Sequence, residues 1–309
     1  MSRIVTLTFS PCIDKSTSVQ ALVPEKKMKC MAPKVEPGGG GINVARAIKQ
    51  LGGEAIAIFP SGGFTGKRFN RLLEDEGIPA VIIEAVEETR ENIIVFDESS
   101  NQQYRFGMPS TSLTNMEWTN CLQALTGIDG IEYIVVSGSL PEGAPDHIFS
   151  TLAKIAKEKS ARLIVDTSGD PLKEAAKQGV YLLKPNLGEL ASLTGSEIKN
   201  VSDAKKAARE LVARGSCEIA IVSLGKDGAL LTTAQESFHV LPPEVVVKST
   251  VGAGDSMVAG IVYSMIQNLN LKQTLQYGVA AGTAATLHAG TELCQKDDTE
   301  RLYTMICNI

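Results

Sequence analysis

The chain has 309 residues, of which 43% are hydrophobic and 21% are charged, as in an ordinary globular protein. Its 30 Lys and Arg against 35 Asp and Glu give a formal net charge of −5. This balance lacks the basic excess with which nucleic-acid-binding proteins neutralise phosphates, and no apolar run approaches the ~18 residues of a membrane span. We therefore expect no nucleic-acid or membrane partner, and one large domain or two modest ones.

Histidine and cysteine usage excludes several kinds of site. The three histidines lie far apart, which leaves no HExxH motif or His-rich metal cluster. The six cysteines form no CxxC pair and are too sparse for a disulfide scaffold, so we expect reduced thiols. The first residues lack the apolar segment of a signal peptide. Together these features predict a cytoplasmic protein.

Short β-branched runs alternate with longer amphipathic stretches along most of the chain. The pattern predicts buried strands at residues 4–9, 55–59, 133–137, 162–166, 181–184 and 219–223. It predicts helices at residues 42–51, 66–76, 145–157 and 204–214, followed by an almost wholly helical part with segments at 254–267, 271–288 and 299–306. This alternation indicates an α/β fold, in which helices cover both faces of a mostly parallel sheet and ligands bind at the carboxyl ends of its strands.

Two regions interrupt the alternation. Residues 25–36 are basic and polar, with a period-2 pattern and no room for a helix. Residues 92–96 and 102–108 predict a hairpin around a turn at 98–101. Strands outside the alternating scheme favour a small separate sheet, serving as a lid or as an edge used for pairing. The alternative is a solvated edge hairpin.

The segment Ser-Thr-Val-Gly-Ala-Gly-Asp-Ser at 249–256 places two glycines directly before a predicted helix. Free N–H groups and the helix dipole attract anions at such a junction. A carboxylate would repel a phosphate there, but Asp255 is suited to take a proton from a hydroxyl while the neighbouring amides hold the developing charge. The alternative is that Asp255 only caps the helix.

A second glycine-to-helix junction lies at residues 38–45, Gly-Gly-Gly-Gly-Ile-Asn-Val-Ala. Four consecutive glycines cost backbone entropy, so they favour a turn that lets a ligand approach the backbone closely. Asn43 is placed to direct its amide at a sugar hydroxyl, and a flexible surface turn is the alternative. Neither glycine segment is a Walker A loop and no GxGxxG fingerprint is present, so a nucleotide would be bound by another design.

Asn186 and Glu189 are three residues apart at a predicted strand-to-helix junction and share one helical face. The pair is suited to organising Mg²⁺, which keeps several waters and needs few protein ligands. The alternative is a capping box, with Asn as the cap and Glu as its partner.

Together these segments resemble the ribokinase-like carbohydrate kinase family over the whole chain. Residues 38–45 and 250–255 resemble its two signatures, and Asn186-Leu187-Gly188-Glu189 resembles its NxxE magnesium motif. Thr6-Leu7-Thr8 with Pro11 and Asp14 is similar to the phosphosugar branch. Many relatives carry Lys where this chain has Gly40. In this departure the chain resembles the members that act on fructose 6-phosphate.

The resemblance implies a ribokinase-like, mostly parallel sheet with helices on both faces and a small β-sheet lid. It implies transfer of phosphate from ATP to the C1 hydroxyl of fructose 6-phosphate. Within the same branch, fructose 1-phosphate and tagatose 6-phosphate are alternative substrates. A sugar-phosphate or nucleotide sensor without catalysis is the alternative from another class, although a binder has no need for a base at Asp255.

The resemblance also implies roles for individual residues. Asp255 would be the base, and the amides of Gly252, Ala253 and Gly254 would form an anion hole. Those that would bind the sugar phosphate are Asp14, Lys27, Gly38, Gly39, Asn43, Arg90, Arg105 and Ser139. Those that would line the ATP site are Lys27, Lys29, Lys184, Asn186, Ser223, Gly225, Gly228 and Thr283. Mg²⁺ would be organised, through water, by Asp166, Asn186 and Glu189, and a monovalent cation such as K⁺ by carbonyls around Ser249, Val251 and Ala285.

The same resemblance implies a structural role for the two irregular regions. Residues 13–34 and 89–108 would form the lid over the sugar site, and residues 1–12, 35–88 and 109–309 the large α/β catalytic domain. In the phosphosugar branch such lids pair across a two-fold axis. The resemblance therefore implies a homodimer in which exposed sheet edges are covered.

Overall fold

Two β-sheets organise the chain in a computed structural model that describes residues 4–308. The strands of the described part are β1 (Ile4–Leu7), β2 (Cys12–Val19), β3 (Lys34–Gly38), β4 (Ile56–Ser61), β5 (Ala80–Glu84), β6 (Arg90–Asp97), β7 (Gln102–Phe106), β8 (Tyr133–Ser137), β9 (Arg162–Asp166), β10 (Val180–Leu183), β11 (Cys217–Ser223), β12 (Ala229–Thr232) and β13 (Ser237–Val240). The helices are α1 (Gly40–Gln50), α2 (Gly63–Asp75), α3 (Asn115–Thr126), α4 (Ile148–Glu158), α5 (Gly169–Lys177), α6 (Leu187–Thr194), α7 (Val201–Ala213), α8 (Ala253–Ile266), α9 (Leu271–Thr286) and α10 (Lys296–Cys307).

The large sheet has nine strands in the order β13-β12-β11-β10-β9-β8-β1-β4-β5. The seven strands from β11 to β5 run parallel, and β12 and β13 join antiparallel at one edge. Parallel strands need crossover connections, which the intervening helices provide. The predicted α/β class with a mostly parallel sheet is confirmed.

Apolar side chains fill both faces of this sheet because successive strand residues point to opposite sides. In β8, Tyr133 and Val135 belong to the core cluster that includes residues of α1, α8 and α9. Ile134 and Val136 belong to a second cluster with residues of α3, α4 and α7. Helices therefore cover both faces, as predicted. Among residues 4–308, none of the helices has the length and apolar character that crossing a membrane requires.

The small sheet has four strands in the order β3-β2-β6-β7 and corresponds to the predicted lid. The hairpin prediction is confirmed, since β6 and β7 pair antiparallel from Ile93↔Phe106 to Asp97↔Gln102. The lid strand expected around Lys27 is wrong: residues 20–33 contain no strand, and only 34–38 enter the sheet. The pattern also missed β2, because its sequence Cys-Ile-Asp-Lys-Ser-Thr-Ser-Val is largely polar.

Predicted and observed element bounds agree within three residues. The strands at 133–137 and 162–166 match at both ends. Helices α1 and α2 begin earlier than predicted, because their first residues include glycines that an apolar pattern does not register. The helices α3 and α5 were not predicted. A sequence signal existed for α3, since Thr114 and Glu117 form a capping box at its start.

The buried guanidinium of Arg46 joins α1 to the lid and to the end of α2. It donates to both carboxylate oxygens of Glu76, at 2.7 and 2.8 Å, and to the carbonyl of Pro37 at 2.9 Å. Its Nη2 also lies 3.3 Å from Glu36 in β3. A charge buried in this way needs such partners, because leaving it unpaired is strongly destabilising. The position of α1, which carries Asn43, is therefore fixed from the small sheet and from α2.

Candidate active site

The carboxyl ends of four neighbouring strands of the large sheet meet at one edge. Ser137 ends β8 and pairs in register with Asp166, which ends β9. Lys184 follows β10 and lies 3.1 Å from Asp166. Asn186 forms a β-bridge with Ser223, which ends β11. Ligands of open parallel sheets bind at this edge, so the fold gathers residues from distant parts of the sequence where a ligand is expected.

Asp255 faces this edge from the first turn of α8. Its Oδ2 accepts a hydrogen bond from Asn43 Nδ2 at 2.9 Å, and its Oδ1 accepts one from Ser137 Oγ at 3.5 Å. The helix begins after Gly252, and no side chain caps it. The alternative that Asp255 only caps α8 is therefore wrong. Its carboxylate is directed at α1 and β8 instead.

The surroundings of Asp255 suit a general base that works near neutral pH. Burial raises the pKa of its carboxyl to about 7. The hydrogen bond from Asn43 opposes this rise, as do Lys184 and Ser137, while the carboxylate of Asp166 adds to it. A base with a pKa close to the working pH is ionised often enough to accept a proton and basic enough to hold it.

The turn before α8 presents backbone N–H groups to the same space. Gly252 has a φ of +75°, in the left-handed region that favours glycine, and a Cβ there would meet the Leu293 side chain at 2.7 Å. The first N–H groups of a helix have no partner within it, and Ala253 N makes only a long bond of 3.5 Å to Thr250 O. A Cβ added to Gly254 would lie 3.8 Å from the Nζ of Lys184, so the ammonium is close to this turn. This arrangement is suited to an anion.

Lys184 and Asp166 form a buried ion pair beside Asp255, and the Lys184 residue is 5% exposed. Burial raises the pKa of Asp166, and Lys184 opposes that rise. The ammonium thus neutralises carboxylate charge at the strand ends. It also leaves a positive group next to the predicted anion hole.

Asn186 and Glu189 form the capping box that the sequence left as an alternative to metal binding. Glu189 N donates to Asn186 Oδ1 at 2.9 Å, and Asn186 N donates to Glu189 Oε2 at 2.8 Å. Burial raises the pKa of Glu189, and electrostatic repulsion from the carboxylate of Asp166 adds to the rise. Among residues 4–308, no three His, Cys, Asp or Glu side chains cluster as a direct metal site. Carboxylate and amide oxygens spaced in this way fit a Mg²⁺ that keeps its waters.

The predicted sugar residues meet where the lid joins the large sheet. Asp14 of β2 is buried and accepts hydrogen bonds from Asn92 Nδ2 at 2.9 Å and Cys12 Sγ at 3.3 Å. Burial raises the pKa of Asp14, and these two bonds oppose the rise. A Cβ on Gly38 would overlap the Asp14 carboxylate, so glycine is required at this approach. Gly39 follows with a φ of +109°, immediately before α1, the helix that carries Asn43.

The two predicted lid arginines, Arg90 in β6 and Arg105 in β7, make different contacts. Arg90 donates to the carbonyls of Met108 and Ser10, at 2.9 and 3.2 Å. Arg105 donates to Thr250 Oγ1 at 3.0 Å, in the loop before the predicted anion hole, and burial lowers its pKa. The lid therefore touches the glycine segment directly.

Three other predicted residues are less closely tied to the site. Ser139 is exposed and lies two residues beyond β8. Lys27 and Lys29 are exposed in the loop between β2 and β3, and no side-chain contact joins them to the other predicted site residues described. Their predicted roles therefore stay predictions.

The predicted nucleotide loop begins at Ser223 and continues into a short 3-10 helix at Gly225–Asp227. Gly225 and Gly228 have φ angles of +62° and +81°. Ser223 N donates to Pro185 O at 3.1 Å, which places this loop beside Asn186. Thr283 lies on α9, where its hydroxyl donates to Val279 O at 2.7 Å.

The residues of the predicted monovalent-cation site lie where the loop before α8 meets the end of α9. Ser249 N donates to Thr286 O at 3.5 Å, and Ser249 Oγ donates to Gly290 O at 2.7 Å. Val251 N donates to Ser249 Oγ at 3.2 Å. Ala285 is one residue from Thr286, so the three predicted residues lie in adjoining segments.

Sequence reasoning missed three polar residues of this region: Ser137, Asn92 and Arg46. Ser137 was assigned only to a strand, Asn92 only to a hairpin, and Arg46 only to a helix. Ser137 contacts Asp255, which is 118 positions away, and Asn92 contacts Asp14, which is 78 positions away. No spacing within one element signals such contacts. An arginine within an apolar helix face was a possible signal for Arg46, because a buried arginine requires acidic partners.

A family model described as "pfkB family carbohydrate kinase" matches residues 7–298. The ATP-dependent 6-phosphofructokinase isozyme 2 of Escherichia coli is 44% identical over 307 residues, 99% of each chain. The 1-phosphofructokinase of Borreliella burgdorferi is 31% identical over 99% of this chain and 97% of its own.

Solved structures of related proteins have the same fold as this chain. Phosphofructokinase-2 from E. coli in complex with potassium superposes with a TM-score of 0.95 at 44% identity, over 99% of this chain and 100% of that one. Ribokinase from Arabidopsis thaliana, at 18% identity, has a TM-score of 0.77 over 98% and 99% of the two chains, which supports the ribokinase-like fold alone. The resemblance inferred from the sequence is thereby confirmed. This chain belongs to the pfkB family of carbohydrate kinases.

Proposed function

We propose that this chain transfers the γ-phosphoryl group of ATP to the C1 hydroxyl of fructose 6-phosphate, giving fructose 1,6-bisphosphate and ADP. The observation that carries the proposal is the partly buried Asp255 carboxylate, placed beside the free N–H groups of α8 and hydrogen-bonded to Asn43 of the glycine-rich junction. A base, an anion hole and a sugar-facing amide are thus within one small space. The 44% identity to a 6-phosphofructokinase isozyme 2 supports the choice of sugar.

Asp255 takes the proton of the C1 hydroxyl as that oxygen attacks the γ-phosphorus. The bond between the γ-phosphorus and the bridging oxygen breaks, and its electron pair leaves with ADP. The amides of Gly252, Ala253 and Gly254 hold the charge of the transferring group, with the ammonium of Lys184 nearby. Phosphoryl transfer depends on positioning and on electrostatic stabilisation of this kind.

The sugar phosphate is held between the lid and α1. Asp14, Gly39 and Asn43 bind its hydroxyls, and Gly38 leaves room for the Asp14 carboxylate. Arg90 and Arg105 bind the 6-phosphate from the lid. A guanidinium group suits this role because it can donate two parallel hydrogen bonds to phosphate oxygens. Lys27 and Ser139 complete the phosphate site when the loops that carry them approach the sugar.

The nucleotide lies along the ends of β10 and β11. Its site is formed by Lys184, Asn186, Ser223, Gly225, Gly228 and Thr283, with Lys27 and Lys29 reaching the phosphates. Asp166, Asn186 and Glu189 would hold Mg²⁺ through water, and the ion would neutralise charge on the ATP phosphates. Carbonyls around Ser249, Val251 and Ala285 would hold a monovalent cation, and the related E. coli enzyme has a structure in complex with potassium.

A panel of phosphosugars tests the assignment most directly. With Mg·ATP, we expect ADP release with fructose 6-phosphate to exceed that with fructose 1-phosphate or tagatose 6-phosphate by at least about tenfold in kcat/KM. Product analysis should give fructose 1,6-bisphosphate. Turnover confined to fructose 1-phosphate would contradict the proposal, and phosphosugar binding without any turnover would favour a sensor.

The pKa of Asp255 predicts how turnover depends on pH. Burial raises this pKa to about 7, and only the ionised carboxylate accepts the proton. We therefore expect kcat to fall about tenfold per pH unit well below pH 7 and to level off above about pH 8. Stopped assays across pH 5.5–9, with stability checked at each pH, provide the measurement. A kcat that is constant from pH 5.5 to 8 would show that another group sets the rate.

The lid also provides a surface for a homodimer. Ile93 and Phe106 pair across β6 and β7, and they are 40% and 48% exposed on one face with Tyr104, which is 38% exposed. Apolar side chains exposed together on a small sheet favour pairing with another sheet. A two-fold axis places the same face of a second copy against them.

Sedimentation equilibrium at micromolar concentration with ligands present tests this arrangement. We expect the mass of two 32.9 kDa chains. Ile93→Asp should give one chain, while the control Phe64→Asp, at an exposed residue on α2, should leave the dimer intact. A mass of one chain for the unmodified protein would contradict the dimer.

A further inference from the structure

Ser137 contacts the second oxygen of the Asp255 carboxylate. It is the last residue of β8, it is 3% exposed, and its Oγ lies 3.5 Å from Asp255 Oδ1. An ionised carboxylate only accepts hydrogen bonds, so the hydroxyl is the donor. The other oxygen, Oδ2, already accepts from Asn43 at 2.9 Å. The two donors thus reach the carboxylate from different elements, α1 and β8.

The hydroxyl of Ser137 has little freedom to move away from Asp255. The first residue of α1, Gly40, packs against the end of β8 so closely that a Cβ would lie 2.5 Å from Ser137 Oγ, Ser137 C and Gly138 N. The next residue, Gly138, has a φ of +102° and donates from its N–H to Asp166 O at 2.9 Å. Backbone on both sides therefore confines the side chain, and side chains locked in this way hold functional groups in fixed geometry.

We propose that Ser137 is a positioning residue for phosphoryl transfer, which with Asn43 holds the Asp255 carboxylate ionised and directed at the sugar hydroxyl. This inference rests on the proposed role of Asp255 as the base. Ser137 reaches the base from the strand side, whereas Asn43 also faces the sugar. A hydroxyl that donates to a carboxylate stabilises the charged form, and the bond weakens when the carboxylate accepts a proton.

Other charged and titratable groups face Asp255 from the elements around it. The carboxylate of Asp166, at the end of β9, raises the pKa of Asp255, and Lys184, after β10, lowers it. The charge of Asp255 in turn raises the pKa of the Cys12 thiol in β2. These groups are unchanged when the Ser137 hydroxyl is removed. Its removal should therefore shift the acid limb of the rate profile to higher pH, without abolishing the reaction.

The variant Ser137→Ala tests the proposal. Loss of a hydrogen bond of this length to a charged group should raise the pKa of Asp255 by about one unit. The midpoint of the plot of kcat against pH should therefore rise by the same amount. With a starting midpoint near 7, kcat then falls about fivefold at pH 7 and recovers to within about twofold at pH 9. The KM for the sugar phosphate should change little. The control Ser264→Ala removes a buried hydroxyl that donates to Ile261 O within α8, and its profile should match that of the unmodified protein.

Two outcomes would overturn the role of Ser137. One is an unchanged midpoint, and the other is an equal loss of kcat at every pH, which a purely structural effect would produce. A second readout does not depend on turnover: ¹³C NMR of aspartate carboxyls, with the Asp255 signal assigned from its loss in Asp255→Asn, should show the same upward shift in Ser137→Ala. If the unmodified protein fails to phosphorylate fructose 6-phosphate, the proposed substrate is wrong, and this titration still decides whether Ser137 acts on Asp255.

Discussion

The proposed site depends on one partly buried carboxylate that must remain able to ionise. Taking Asp255 out of water disfavours its charge, and the structure offsets this with Asn43, Ser137 and Lys184. The offsets come from α1, from β8 and from the residue after β10, so these elements and α8 must all be correctly placed for the proposed base to work. The buried pairs of Arg46 with Glu76 and Glu36 fix α1 in that arrangement.

The lid and the predicted anion hole are connected by direct contacts. Arg105 of β7 donates to Thr250, and Thr291, which follows α9, donates to Glu36 of β3. Lys34 of the lid also pairs with Glu292 at 2.7 Å. The strands proposed to bind the sugar phosphate therefore contact the segment before α8 and the segment after α9. These contacts join the lid to the loop where the γ-phosphoryl group is expected.

Much of the fold and part of the site followed from local sequence signals. Alternating strands and helices predicted the parallel sheet, and the glycine segment at 249–256 led to Asp255 because helix N-termini attract anions. The capping box at Asn186 was also visible, but its three-residue spacing fits both a cap and a metal site. Ser137 and Asn92 were not predicted, because their partners lie far away in sequence and only the fold brings them together. The polar strand β2 was missed since pairing with β6, rather than an apolar pattern, determines it.

The central claim is that Asp255 removes the proton of the sugar hydroxyl, and the isosteric variant Asp255→Asn tests it. The amide preserves size and leaves the glycine turn in place, but it cannot act as a base. Kinetic assays with Mg·ATP, together with calorimetric binding of fructose 6-phosphate, should give a kcat lower by about 10²–10⁴-fold and a Kd within a few-fold of the unmodified protein. A kcat close to that of the unmodified protein would contradict the account.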